Sequence, residues 1–220
     1  QYRNFLALPD VTRMVLSAFA SRLPIGMMAL AMLMFLRESL GSFSQAGFAV
    51  GAYFTAMAVA APITGRLVDR FGPRRILWVL GPLHPLTMLA LLWAAKSGAA
   101  FPLIALCACL SGMLQPPVTV LTRTLWRHRF LDEDLRKRAY SIDAVMIEFN
   151  FTLGPALVGT LLAVGTPTLA YCTVIGIVVF SFAVFMASPM LKYWQQHEAE
   201  ERHLLGPLTD TRLIVLFITT

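Results

Sequence analysis

Gly65-Arg66-Leu67-Val68-Asp69-Arg70-Phe71-Gly72-Pro73-Arg74-Arg75-Ile76-Leu77 sets four arginines and one aspartate between two long apolar runs. Helices that cross a bilayer are bounded in this way: about 20 apolar residues traverse the hydrocarbon, and cations gather where the chain emerges. The flanking runs, 45–65 and 76–95, have the required length. Working outward, four more follow the same pattern, at 14–36, 101–123, 139–163 and 168–190. All six are predicted to be helical, because backbone polar groups in lipid find partners only within their own segment. Composition agrees: 57% of the 220 residues are hydrophobic and 14% are charged, where a soluble domain carries about a quarter charged residues.

The cations sort to one side of these spans. Arg3 and Arg13 precede the first, and Arg66, Arg70, Arg74 and Arg75 separate the second from the third. Arg123, Arg127, Arg129, Arg136, Lys137 and Arg138 lie around the connection from the fourth to the fifth, and Lys192, Arg202 and Arg212 follow the sixth. The opposite side has Arg37 and Lys96 alone. This asymmetry predicts a multi-pass protein of a plasma or inner membrane with its N-terminus in the cytoplasm. The net charge of +6 is then a record of topology. Lipid is the expected partner, and nucleic acid is not.

Residues 1–190 are predicted to form the six-helix bundle, 191–210 a polar cytoplasmic linker, and 211–220 the start of a seventh helix. Leu213 to Thr220 is apolar but shorter than a span, so the chain is expected to be cut inside that helix. No signal peptide is read at the start, since no small-residue cleavage site follows a short apolar region. Cys107, Cys109 and Cys172 all lie in apolar runs and read as small packing residues, with neither a metal nor a disulfide expected. His197 and His203, beside Glu198, Glu200 and Glu201, read as solvated linker residues.

The order Gly65, Leu67, Asp69, Arg70, Gly72, two basic positions and an apolar residue resembles the signature loop of the major facilitator superfamily, and it occupies the same slot between the second and third spans. Pro73 departs from the pattern at the first basic position. The resemblance implies an all-α membrane protein, the N-terminal six-helix half of a twelve-helix fold, partnered by its own C-terminal half. It further implies a monomeric secondary transporter that moves a small solute by alternating access, driven by a proton gradient and without a cofactor. Gly65, Asp69, Arg70, Gly72 and Arg74 then form a conformational latch, a state-dependent ion pair whose role is switching. Arg123 is the expected partner of Asp69 within the half. The competing reading of this loop is a turn whose charges set topology alone.

Two weaker features point the same way. Leu8 to Leu16 matches Leu208 to Leu216 with a one-residue gap, as in two-fold repeated transporters. Gly154-Pro155-Ala156-Leu157-Val158-Gly159 resembles part of the Gly-Pro signature of the family's antiporter branch and implies efflux. Asn150 and Thr160 replace two glycines of that pattern, however, and Ala108 stands where the branch has an arginine in span four.

Ionisable groups within spans are costly and mark functional sites. Here they are Arg22, Asp143 and Glu148, accompanied by His84, Gln115 and Asn150. At 1.5 Å rise per residue, Arg22, His84, Gln115 and Glu148 fall roughly 3–6 Å from the midplane and Asp143 about 12 Å from it. Arg22, Gln115, Asp143, Glu148 and Asn150 are therefore the candidates for binding substrate or coupling a proton. Arg22 and Glu148 are expected to form a midplane ion pair for which substrate or a proton competes. The alternative is a static pair that fixes packing, with Arg22 reaching towards the cytoplasm.

On span five, Asp143, Asn150 and Gly154 line one side, and Glu148, Thr152, Pro155 and Gly159 another about 140° away. One stripe is expected to pack within the half and the other to face a translocation path. His84 is expected to serve carbonyls freed by Pro85. Gln115-Pro116-Pro117 should kink or unwind span four, and Gly47 and Gly51 should support close helix packing. An intramembrane enzyme or receptor-like bundle is the runner-up reading. Ser111 and His84 are its nearest approach to a nucleophile and base, both without an activating neighbour, so enzymatic activity is not expected.

Overall fold

A computed structural model describes residues 5–194. Six helices among the described residues are long and apolar enough to cross a membrane. They are α1 (Val11–Leu40), α2 (Phe43–Phe71), α3 (Pro73–Lys96), α4 (Phe101–Arg129), α5 (Glu133–Val164) and α6 (Pro167–Ala187). Arg3, most of the expected linker and the expected start of a seventh helix lie outside the described residues.

Five of the six helices outrun the apolar segments that announce them, whereas α6 ends at Ala187, three residues short of the expected 190, before a 3-10 turn at Pro189–Tyr193. Helix α5 begins at Glu133, six residues before the apolar segment at 139, because its polar first turns are well made. The Asp132 carboxylate accepts from the Leu135 N–H at 2.9 Å, Glu133 and Asp134 sit at the positive end of the helix dipole, and Glu133 pairs with Lys137 one turn on at 3.1 Å. Hydropathy does not register any of these interactions. Ser42 and Thr166 cap α2 and α6 in the same manner.

Helix α4 is broken. It consists of Phe101–Met113 and Val118–Arg129, separated by four residues that include Pro116 and Pro117. Proline has no N–H to donate and its ring collides with the preceding turn, so two in succession end the first segment as expected.

Helix α1 runs through the centre of the bundle and touches all five others. Its tightest crossing is with α5, where Gly26 meets Asn150 and Gly154; a Cβ on either glycine would land on the backbone of the other helix. The apolar interior has two parts. Near the arginine-poor end Phe35 stacks on Tyr171 at 4.8 Å, and the Glu38 carboxylate takes Lys96 at 3.6 Å and the Thr168 hydroxyl at 2.8 Å. Near the arginine-rich end Phe5, Leu77, Leu125, Trp126, Phe130 and Phe185 form the second part. There Ser17 and Ser188 share a hydrogen bond of 2.8 Å that ties α1 to the end of α6.

Gly47 and Gly51 do not support packing within this bundle. Both are exposed, with open space where a Cβ would sit. The buried stripe of α2 is Ala46, Ala49, Tyr53, Ala56 and Ala60, and a helix turns its face about 100° with every residue.

Candidate functional site

The α1–α5 crossing decides which carboxylate Arg22 meets. Arg22 precedes Gly26 by one turn, on the face turned to α5. On that face of α5, Asp143 lies two turns before Asn150. Arginine side chains on a helix lean towards its N-terminus, and this one reaches back to Asp143. Its Nη1 donates to Asp143 Oδ1 at 2.6 Å, with Arg22 3% and Asp143 1% exposed.

Trp126 Nε1 donates to the same oxygen at 3.3 Å. Arg123 Nε stands 3.5 Å from Oδ2, on a side chain that is 60% exposed. One buried carboxylate thus sits between two guanidinium groups and an indole, and Nε and Nη2 of Arg22 have no hydrogen-bond partner among the described residues.

Two expected pairs are not formed. Arg22 does not meet Glu148, which is exposed on the other side of α5. Counting depth from the centre of the apolar segment alone set Asp143 too far away, because α5 starts at Glu133 and the arginine spans the remaining offset. Arg123 does not meet Asp69 either. Its neighbour one turn on, Trp126, rests on Asp143 and brings Arg123 there, while Asp69 is exposed and has no ion pair among the described residues.

The two stripes of α5 part as their spacing requires. Asp143, Asn150 and Gly154 are buried against α1, with Asn150 Nδ2 donating to the Phe19 carbonyl at 3.4 Å. Glu148, Thr152, Pro155 and Gly159 are exposed. Glu148 is the sixteenth of the 32 residues of α5, so its carboxylate stands at mid-helix on an open face.

The break in α4 is braced from both neighbours. Tyr53 on α2 donates its hydroxyl proton to Gln115 Oε1. His84 Nδ1 on α3 lies 2.9 Å from the Ser111 carbonyl. A carbonyl only accepts, so Nδ1 carries the proton of this bond. His84 therefore reaches across to α4 and does not serve the carbonyls of its own helix. Thr87 attends to two of those, donating to Leu83 and His84 at 3.2 and 2.8 Å.

The Ser111 hydroxyl has no hydrogen-bond partner among the described residues, so the imidazole does not activate it. Beside the break lies a cavity of about 40 Å³ whose lining includes Ser21, His84, Gln115 and Ser181. It has room and polar partners for a water molecule.

In the signature loop, Gly72 alone joins α2 to α3, with φ at 81°, a conformation that favours glycine. Gly65 lies within α2, six residues before its end. Arg70 stacks on Phe71 at 5.3 Å, and Arg74 is exposed in the first turn of α3.

Tyr53 and Trp126, which hydrogen-bond to the candidate residues Gln115 and Asp143, are not marked out by the sequence. The only signal for Trp126 was its place three residues after Arg123 in an otherwise basic stretch. The three cysteines are free, and no metal-holding group of His, Cys, Asp or Glu occurs among the described residues. In comparison with known families, residues 14–219 match the Major Facilitator Superfamily. Among curated proteins no match is found.

Proposed function

The chain belongs to the Major Facilitator Superfamily, whose members are transporters, and from this we propose that it moves a small solute by alternating access, powered by a proton gradient. The observation that carries the proposal is Glu148. A carboxylate at the centre of a membrane-length helix and exposed on the bundle surface cannot face hydrocarbon without a large penalty. Its stripe, with Thr152, Pro155 and Gly159, therefore borders a polar path that a second six-helix half closes from the other side. Glu148 is the proton and substrate group on that path. Gln115 at the break of α4 is a neutral polar group for the solute, and Arg22–Asp143 is the fixed pair that orients α5 behind it.

The arginine-rich end is cytoplasmic in this reading, on the asymmetry of cations. Asp69, Arg70 and Arg74 form the latch at that end. Asp69 has no ion pair among the described residues and is free to take one from the other half. The Gly154-Pro155 element supports export, and the missing arginine of α4 weighs against it.

The test uses the full-length protein in proteoliposomes, with a pH-sensitive dye inside and a panel of small solutes outside. The wild type should move protons with at least one solute, and Glu148→Gln should move none. Unchanged proton movement in that variant would sink the coupling role.

A further inference from the structure

At the arginine-rich end, where α3 begins and the chain leaves α6, lies an open groove of about 490 Å³. Arg70, Arg74, Arg75, Trp78, Leu191 and Trp194 are among its lining residues, and among the described residues no Asp or Glu lines it. Arg74 and Arg75 are exposed and make no ion pair among the described residues. They occupy the first turn of α3, which has no acidic residue and no side-chain cap. Cations are the wrong sign for that position, because the helix dipole places partial positive charge there and the first N–H groups lack acceptors. An anion seated in the groove would answer both. The indole nitrogen of Trp194 is also buried without an acceptor among the described residues.

What approaches this groove follows from the outer face of α3. Trp78, Leu86, Leu89 and Trp93 succeed one another along it at helical spacing, and all are exposed. In a membrane-spanning helix such a face lies against acyl chains, and Trp78 marks the interface at its end. The groove is therefore at headgroup level, directly above lipid tails. We propose that it is a binding site for one anionic phospholipid, whose phosphate is held by Arg74, Arg75 and the start of α3 and whose chains run down past Trp78. A zwitterionic lipid offers the same phosphate, but its ammonium group finds no carboxylate among the described lining residues.

The test measures lipids retained by the full-length protein, released from nanodiscs of equal phosphatidylglycerol and phosphatidylcholine, by native mass spectrometry. Phosphatidylglycerol should predominate among tightly bound lipids. The preference should fall about tenfold in Arg74→Gln/Arg75→Gln, since each arginine at a membrane surface adds appreciably to the attraction for anionic lipid. It should fall less in Arg75→Gln, a milder change that guards against loss of folding, and persist in Arg74→Lys/Arg75→Lys.

Arg136→Gln/Lys137→Gln, which removes two cations of the same side elsewhere, should leave it unchanged. An equal loss in that control, or no loss in the folded groove variants, overturns the proposal. Displacement of the lipid by millimolar inorganic phosphate would also overturn it, by making the site one for free phosphate. So would a large gain of lipid on neutralising Glu198, Glu200 and Glu201, which would make the chain's own acidic stretch the occupant.

Discussion

Arg22 on α1 and Asp143 on α5 form a 2.6 Å ion pair sealed from solvent on both sides. Removing one partner leaves the other charged and buried, which costs about 3–5 kcal/mol in well-packed sites. Asp143→Asn is therefore expected to lower the melting temperature of the detergent-solubilised protein sharply. Arg22→Met/Asp143→Leu, which removes both charges, should recover much of the loss. A single substitution as mild as the double would show that the pair is hydrated.

Arg123 is expected to behave differently although it touches the same carboxylate. Its side chain is 60% exposed and 3.5 Å from Oδ2, and exposed pairs contribute about 0–1 kcal/mol. Arg123→Ala should thus shift the melting temperature little. A loss equal to that of Asp143→Asn would mean that Arg123, and not Arg22, neutralises the site.

The meeting of Gly26 with Gly154 predicts a sharp contrast along one helix. Gly154→Leu must push α1 from α5 and should cost about 1–3 kcal/mol or more, read as lost folding yield and melting temperature. Gly159→Leu, exposed with open space around its Cα, should fold normally. Equal tolerance at both positions would refute the crossing.

Tyr53→Phe removes the hydroxyl that holds Gln115 and little else. Hydrogen bonds between membrane helices average about 0.6 kcal/mol, so only a small loss of stability is expected. The break in α4 should loosen more visibly, as faster hydrogen exchange at residues 114–118. Unaltered exchange there would show that the prolines alone set the break.

Asp69→Asn should change the balance of states rather than stability. With the native cysteines replaced and Thr152→Cys introduced, labelling by a membrane-impermeant thiol reagent from the arginine-rich side should rise as the latch weakens. Labelling indistinguishable from the parent would leave Asp69 as a topology signal only.

The sequence disclosed the spans because apolar length is a one-dimensional property, and the break in α4 because two prolines remove donors wherever they stand. It also assigned Asp143, Asn150 and Gly154 to one face of α5, since facing follows from residue number alone. Partner choice was less visible. Whether Arg22 takes Glu148 or Asp143 depends on where Gly26 touches α5 and on how far α5 extends into a polar stretch. Neither is a property of a single helix. Tyr53 shows the same limit: it reads as one more aromatic in an apolar run until α4 opens opposite it.

The contact of Gly26 with Gly154, backbone against backbone, joins α1 and α5 into a single stiff beam. Glu148 is mounted on the outer side of that beam, so a bend that carried α5 away from α1 there would have to open this contact. In the proposed transport cycle its surroundings change when the bundle tilts as a whole against the second half, so that proton release there is tied to the motion of six helices together.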